Sequence, residues 1–218
     1  FRVRLTVSDG DDDDQALVAV SANVPEINDI TQNTVLDDIF DDPAEADYRV
    51  SGTVDVHAQL TINPGVRIEF DEGAGMDIES EGSLIAVGSE ADSIVFTGAQ
   101  ATAGYWDCLY INSNNPNNQL SYVVVEYSGD YYGNIYITDN SQLKMENSTS
   151  RFSAGTGLFA ENDAKLPVFS ENRFARNTAS AVRVPARLIG ALDGATVYSA
   201  GNTKNYVDVS SVTVTTDQ

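Results

Sequence analysis

Two stretches of this chain carry residues that could do chemistry. The first is Asp9-Gly10-Asp11-Asp12-Asp13-Asp14, the densest set of hard oxygen donors in the sequence. Calcium takes about six to eight oxygen ligands, and acidic loops supply them. Asp9, Asp11, Asp12, Asp13 and Asp14 are therefore the candidate calcium ligands, against the alternative of a solvated acidic turn. The run is not an EF-hand loop. Its sixth position is Asp14 where glycine is required, and its twelfth is Val20 where glutamate is required.

The second stretch is aromatic. Seven of the ten tyrosines and the only tryptophan fall between Tyr105 and Tyr136. Side chains with a flat apolar body and a polar tip can stack on sugar rings or on another protein. Trp106, Tyr110 and Tyr122 are read as core. Tyr131 and Tyr132 are adjacent on a GDYYGN turn and cannot both point inward. The candidate binding residues are Tyr127, Tyr131, Tyr132 and Tyr136. Asn115 and Asn117, in the loop INSNNPNNQ, would supply orienting hydrogen bonds.

No catalytic set is assigned. A lyase would need carboxylates holding calcium beside an Arg or Lys base, and a hydrolase would need paired carboxylates across a groove. Asp139, Asn162 and Pro185 occupy one place in three repeats, so no second carboxylate stacks on the first. Glu126, Asp130, Arg151, Arg173 and Arg176 read as corner and surface pairs. His57, the only histidine, has no second His or Cys nearby and reads as a surface residue. Cys108 reads as a small buried apolar group, and a single cysteine excludes an internal disulfide.

Charge narrows the partners. Asp and Glu number 33 against 12 Lys and Arg, a net −21. Up to Tyr110 the chain has 23 acids and 4 bases; beyond it, 10 and 8. Such a surface opposes nucleic acid, which needs clustered cations, and suits divalent cations or a salty medium. That balance, with only three lysines, fits an extracellular or cell-surface protein. No apolar run approaches the roughly 18 residues of a membrane span. Phe1 lies inside a strand-like run, so the chain is expected to adjoin further domains of a parent protein.

The elements that must position these residues are short strands. FRVRLTV and ALVAVSA alternate with period two around the acidic turn, predicting a β-hairpin over residues 1–23. Residues 24–47, with Pro25, Pro43, Asp37, Asp38, Asp41 and Asp42, are expected as an acidic linker or cap, with one helical turn at VLDDIF. From Tyr48 onward short alternating strands follow in close order, without a helical period. Between Leu120 and Pro185 one pattern is written three times, its leading leucines Leu120, Leu143 and Leu166 standing 23 residues apart. Ile135/Ile137, Leu158/Ala160 and Val182/Val184 follow as paired aliphatics. A period in the twenties marks a solenoid, and the all-β texture makes it a parallel β-helix of about seven rungs over 48–218.

Two resemblances add to this. RVRLTVSDGDDDDQALVAV resembles the last two strands of a PKD-type immunoglobulin-like domain. LTINPGVRIEF, GSLIAVGSEADSIVFTG and GYWDCLYINSNNPNNQLSYVVVEYSG, in that order, resemble secreted bacterial right-handed parallel β-helix repeat proteins, with Cys108 where that pattern has glycine. The resemblance implies a right-handed coil. The expected function is a non-catalytic module that spaces, adheres or binds polysaccharide. The alternative is a polysaccharide lyase or hydrolase, because pectate lyases and polygalacturonases share the architecture.

Overall fold

A computed structural model describes residues 2–8, 13–19, 23–40, 42–129 and 132–210. The short alternating segments form strands that stack in parallel into three sheets, one strand of each sheet per turn. Sheet 1 runs from Tyr48–Val50 through Arg67–Phe70, Ile94–Gly98, Val123–Glu126, Thr149–Arg151 and Arg173–Ala175 to Val197–Ala200. Sheet 2 runs from Thr53–Val56 through Gly75–Ile78, Leu109–Ile111, Gly133–Ile137, Thr156–Ala160 and Ser180–Pro185 to Lys204–Ser210. Sheet 3 comprises Thr34–Leu36, Gln59–Ile62, Ser83–Val87, Gln119–Ser121, Lys144–Glu146 and Phe169–Ser170. The result is a right-handed parallel β-solenoid of about seven turns, the hand expected of parallel crossover connections.

Alternation puts every second side chain into the coil, where it meets its counterpart from the next turn. Val54, Met76, Leu109, Ile135, Leu158 and Val182 form one such column on sheet 2, and all of them are buried. Val56, Ile78, Ile111, Ile137 and Ala160 form the second. On sheet 3 the column reads Leu36, Ile62, Ala86, Leu120, Met145 and Phe169. The 23-residue step from Leu120 to Leu143 is therefore not the step of the strand pairing there. Leu120 pairs with Met145, two residues further on, because the chain between Glu126 and Gly133 is two residues longer than its counterpart between Arg151 and Thr156; Leu143 is nonetheless fully buried. Trp106 fills the coil against Phe70, with ring centroids 4.0 Å apart and planes 12° apart. Its indole N–H donates to the carbonyl of Glu126 at 2.8 Å, the partner a buried indole requires.

The corners explain the Asn- and Ser-rich texture. Tyr127, Phe152, Arg176 and Gly201 occupy one corner in successive turns, all with positive φ. Each is followed by a small polar residue, and these form a buried ladder. The amide of Ser153 donates to Asn177 Oδ1 and the amide of Asn177 to Asn202 Oδ1, both at 3.0 Å. At the other corner the Ser148 amide donates to Asn172 Oδ1 and the Asn172 amide to Thr196 Oγ1. These side chains satisfy amides that the bend removes from the sheets.

The first turn begins earlier than residue 48. Within the expected linker 24–47, Thr34–Leu36 pairs with Leu60–Ile62 and isolated bridges join Glu26 to Arg49 and Ile30 to Val56. Ile27, Ile30 and Leu36 are buried there. VLDDIF is a strand followed by extended chain, with no helical turn. The buried Asp47 carboxylate draws that chain down by accepting the amides of Ile39 at 2.8 Å, Phe40 at 2.9 Å and Arg67 at 2.7 Å, which outweighs the weak helical preference of six residues. At the far end the 3₁₀ helix Ala186–Ala191 occupies the place of a seventh sheet 3 strand and buries Leu188. The N-terminal strands Arg2–Ser8 and Asp13–Ala19 pair antiparallel, as the alternation predicts.

Candidate functional site

The outer face of sheet 2 gathers the chemistry. The register that buries its aliphatics also sets Asp55, Asp77, Tyr110, Tyr136, Phe159, Arg183 and Asp208 in one outward row, one per turn. With strands about 4.8 Å apart, the row changes along the coil: acidic at the early turns, aromatic in the middle, then Arg183 and Asp208. Tyr110 meets Tyr136 edge-on at 5.2 Å, and Tyr136 stacks on Phe159 at 5.3 Å. Tyr132, from the preceding turn of chain, lies flat over Tyr136 at 4.2 Å with planes 9° apart. Tyr136 is thus only 5% exposed while Tyr132 is 38% exposed. Arg183 holds its guanidinium 5.0 Å from the Phe159 ring centroid.

The Tyr136 hydroxyl donates to Glu161, whose other oxygen accepts the Asp139 amide at 2.9 Å. Burial, followed by that carboxylate, pushes the phenol well above its ordinary value, so it stays a protonated donor that fixes the ring. At the acidic end, oxygens of Asp55, Asp77 and Glu79 all lie within 4.8 Å of one another, close enough for one hard cation to reach all three. Burial first, then the neighbouring charges of Asp55, Asp107 and Glu79, push the Asp77 carboxyl up to about 6. Asn112 donates to Glu79 at 3.3 Å.

Residues 29–145 match the family described as the pectate-lyase-like β-helix domain. The chain belongs to this family. Neither curated proteins nor solved structures give a match. Membership fits a carbohydrate-related role. No helix among the described residues of this pectate-lyase-like domain is long and apolar enough to cross a membrane.

The domain distributes the residues singled out in the sequence over several places. Tyr132 and Tyr136 come together in the sheet 2 row. Tyr127 stands at the corner between sheets 1 and 2, stacked on Phe152 at 5.1 Å, and Arg151 and Arg176 each lie 5.5 Å from that Phe152 ring. Tyr131 lies outside the described residues, as do Asp9, Asp11 and Asp12; Asp13 and Asp14 are strand residues paired with Ser8 and Val7. Asn115 and Asn117 close a turn on themselves, Asn115 Oδ1 accepting the Asn117 amide at 3.0 Å. That turn leaves the far end of Leu109–Ile111, on the sheet 3 side, whereas Tyr127 precedes sheet 2 on the sheet 1 side. Their neighbour Asn118 is the structural one: buried, it accepts the Leu84 amide and donates to two carbonyls.

Of the three aromatics expected in the core, Trp106 is there, whereas Tyr110 faces outward and Tyr122 is a half-buried corner residue with φ 52°. The reason for Tyr110 is parity: Leu109 and Ile111 take the inward positions on either side of it. His57 is exposed, 4.0 Å from Glu81, and Cys108 is buried, its thiol pushed far up by that burial. Glu126 is buried on the outside of sheet 1, where it accepts Arg151 at 2.6 Å and Thr97 at 3.0 Å. The sequence reading missed Asp77, Phe159 and Arg183. Their signal was present, since stepping one repeat from Tyr136 reaches Phe159 and one more reaches Arg183.

Proposed function

We propose that this domain is a non-catalytic glycan-binding module of a secreted or cell-surface protein, and that the sheet 2 row is its contact face. The observation that carries this is the continuous stack of Tyr110, Tyr136, Tyr132 and Phe159 on an outward sheet face. A sheet face gains little from carrying an aromatic stack with Tyr132 exposed at its surface, whereas a sugar ring gains a flat apolar surface there. The rows on either side are held by stacked strands, so the face is pre-formed and little ordering opposes binding.

The test compares the wild-type domain with Tyr132→Ala/Phe159→Ala on a glycan array and in affinity electrophoresis with soluble polysaccharides. Retention that the double variant loses at unchanged melting temperature supports the face; equal retention removes it. A lyase or hydrolase remains the second reading, favoured by one feature. Asp77, raised to about 6, keeps its proton into the mildly acidic range beside the aromatic row. On that row, however, the first cation is Arg183, four strands on and about 19 Å away, too far to share a reacting atom with Asp77. Release of reducing ends or unsaturated uronate from any polysaccharide would favour the enzyme.

A further inference from the structure

We propose that the basic end of the sheet 2 row is a subsite for an anionic sugar, a ring bearing a carboxylate or a sulfate; this rests on the glycan-binding reading above. A cavity of about 250 Å³ lies there, its lining including Tyr132, Phe159, Ser180, Arg183, Lys204 and Asp208. Its size suits one ring at a time rather than an extended ligand.

Several observations converge on it. The chain has only 12 Lys and Arg against 33 Asp and Glu, yet two of those cations meet here against two aromatic rings. Arg183 is laid over Phe159, which fixes the plane of a group whose forked N–H donors match a carboxylate or sulfate. Lys204 is 4.0 Å from Asp208, so the cavity keeps one positive charge in excess. Ser180 is buried, and its Oγ has no hydrogen-bond partner among the described residues. A buried hydroxyl without a partner is uncommon, and this one belongs to a residue in the cavity wall with its oxygen covered. Finally, the strand pairing shifts between Ser180↔Lys204 and Val182↔Val207, so the last strand carries one extra residue beside the cavity. Bulges of this kind re-aim side chains next to binding sites. The carboxylates of Asp55, Asp77 and Glu79 crowd the opposite end of the row, so an anionic ring is directed to the Arg183 end and repelled from the other.

The experiment measures binding of three probes by calorimetry: an alginate hexasaccharide, the same hexasaccharide with its carboxylates methyl-esterified, and a sulfated dextran oligosaccharide. Wild type and Arg183→Gln/Lys204→Gln are compared, with thermal melts confirming that both are folded. Tighter binding of either anionic probe than of the ester, reduced at least tenfold in the double variant while the ester is unaffected, supports the subsite. Preference for the sulfated probe identifies the anion as sulfate. If wild type binds the ester as tightly as the acid and sulfate, or the variant changes nothing, the subsite is overturned and the aromatic face stands. If Tyr132→Ala/Phe159→Ala leaves the binding of every probe unchanged, or wild type binds none of them, the face fails and the subsite with it.

Discussion

Asp77→Asn should stabilise this domain at pH 8 and leave it unchanged at pH 4. The Asp77 carboxyl is raised from 3.8 to about 6 by burial and by Asp55, Asp107 and Glu79. Below the unfolded value near 3.8 it is protonated in both states and costs nothing. As pH rises through about 6 the folded protein must ionise a carboxyl that its surroundings resist, so stability is lost over that interval and stays lost above it. Raising the carboxyl from 3.8 to about 6 corresponds to about 3 kcal/mol at most. Asp77 is only half-buried, and solvent screens its neighbours, so about 1 kcal/mol is the expected gain. For a chain of this length that is about 2–4 °C in melting temperature. Asparagine keeps the shape and drops the charge. The assay is thermal unfolding followed by circular dichroism, wild type against variant, at both pH values and low salt. An equal shift at pH 4 and pH 8, or a variant that becomes less stable as pH rises, would refute the electrostatic account.

Millimolar calcium should raise the wild-type melting temperature at pH 8 and do so less in Asp77→Asn; no rise would leave the three carboxylates repelling without a bound cation. Arg151→Ala should cost about 2–4 kcal/mol in urea unfolding, because it leaves the buried Glu126 charge with only Thr97; a loss below about 0.5 kcal/mol would show a solvent-exposed pair. Asn177→Ala should cost about 2–3 kcal/mol, since the Ser153 amide loses its acceptor and Asn202 Oδ1 a donor. Denaturant melts in which Asn177→Ala matches wild type would show that the corner ladder does not hold the turns together.

The fold was legible because inward positions repeat in kind. Ile135/Ile137, Leu158/Ala160 and Val182/Val184 are chemically alike, and the 23-residue step aligns them as the structure does. Leu120 misled because the matching inward residue is a methionine, and the next leucine belongs to another column. The outward row was hidden for a related reason. Nothing selects for likeness on a solvent face, so Asp77, Tyr110, Tyr136, Phe159 and Arg183 look unrelated until the register is known. Tyr110 was misplaced by its residue type when its parity decided the matter. Of the acidic residues that matter to one another, Asp55 lies a full turn before Asp77 and Glu79 in sequence, whereas the run Asp9 to Asp14 is merely contiguous.

One turn of chain advances each sheet by a single strand, and over the later turns the corner ladders of Ser and Asn pass from one turn to the next. Such a molecule can change length in whole turns only. Loss of one complete turn from the middle would rejoin like to like in all three sheets and in both corner ladders, whereas loss of a single strand residue would turn a column inside out. The outer row therefore behaves as a ruler graduated in steps of about 4.8 Å. The separation between its carboxylate end at Asp77 and its guanidinium end at Arg183 is fixed by how many turns intervene, and duplication or deletion of a turn resets it without redesigning either end.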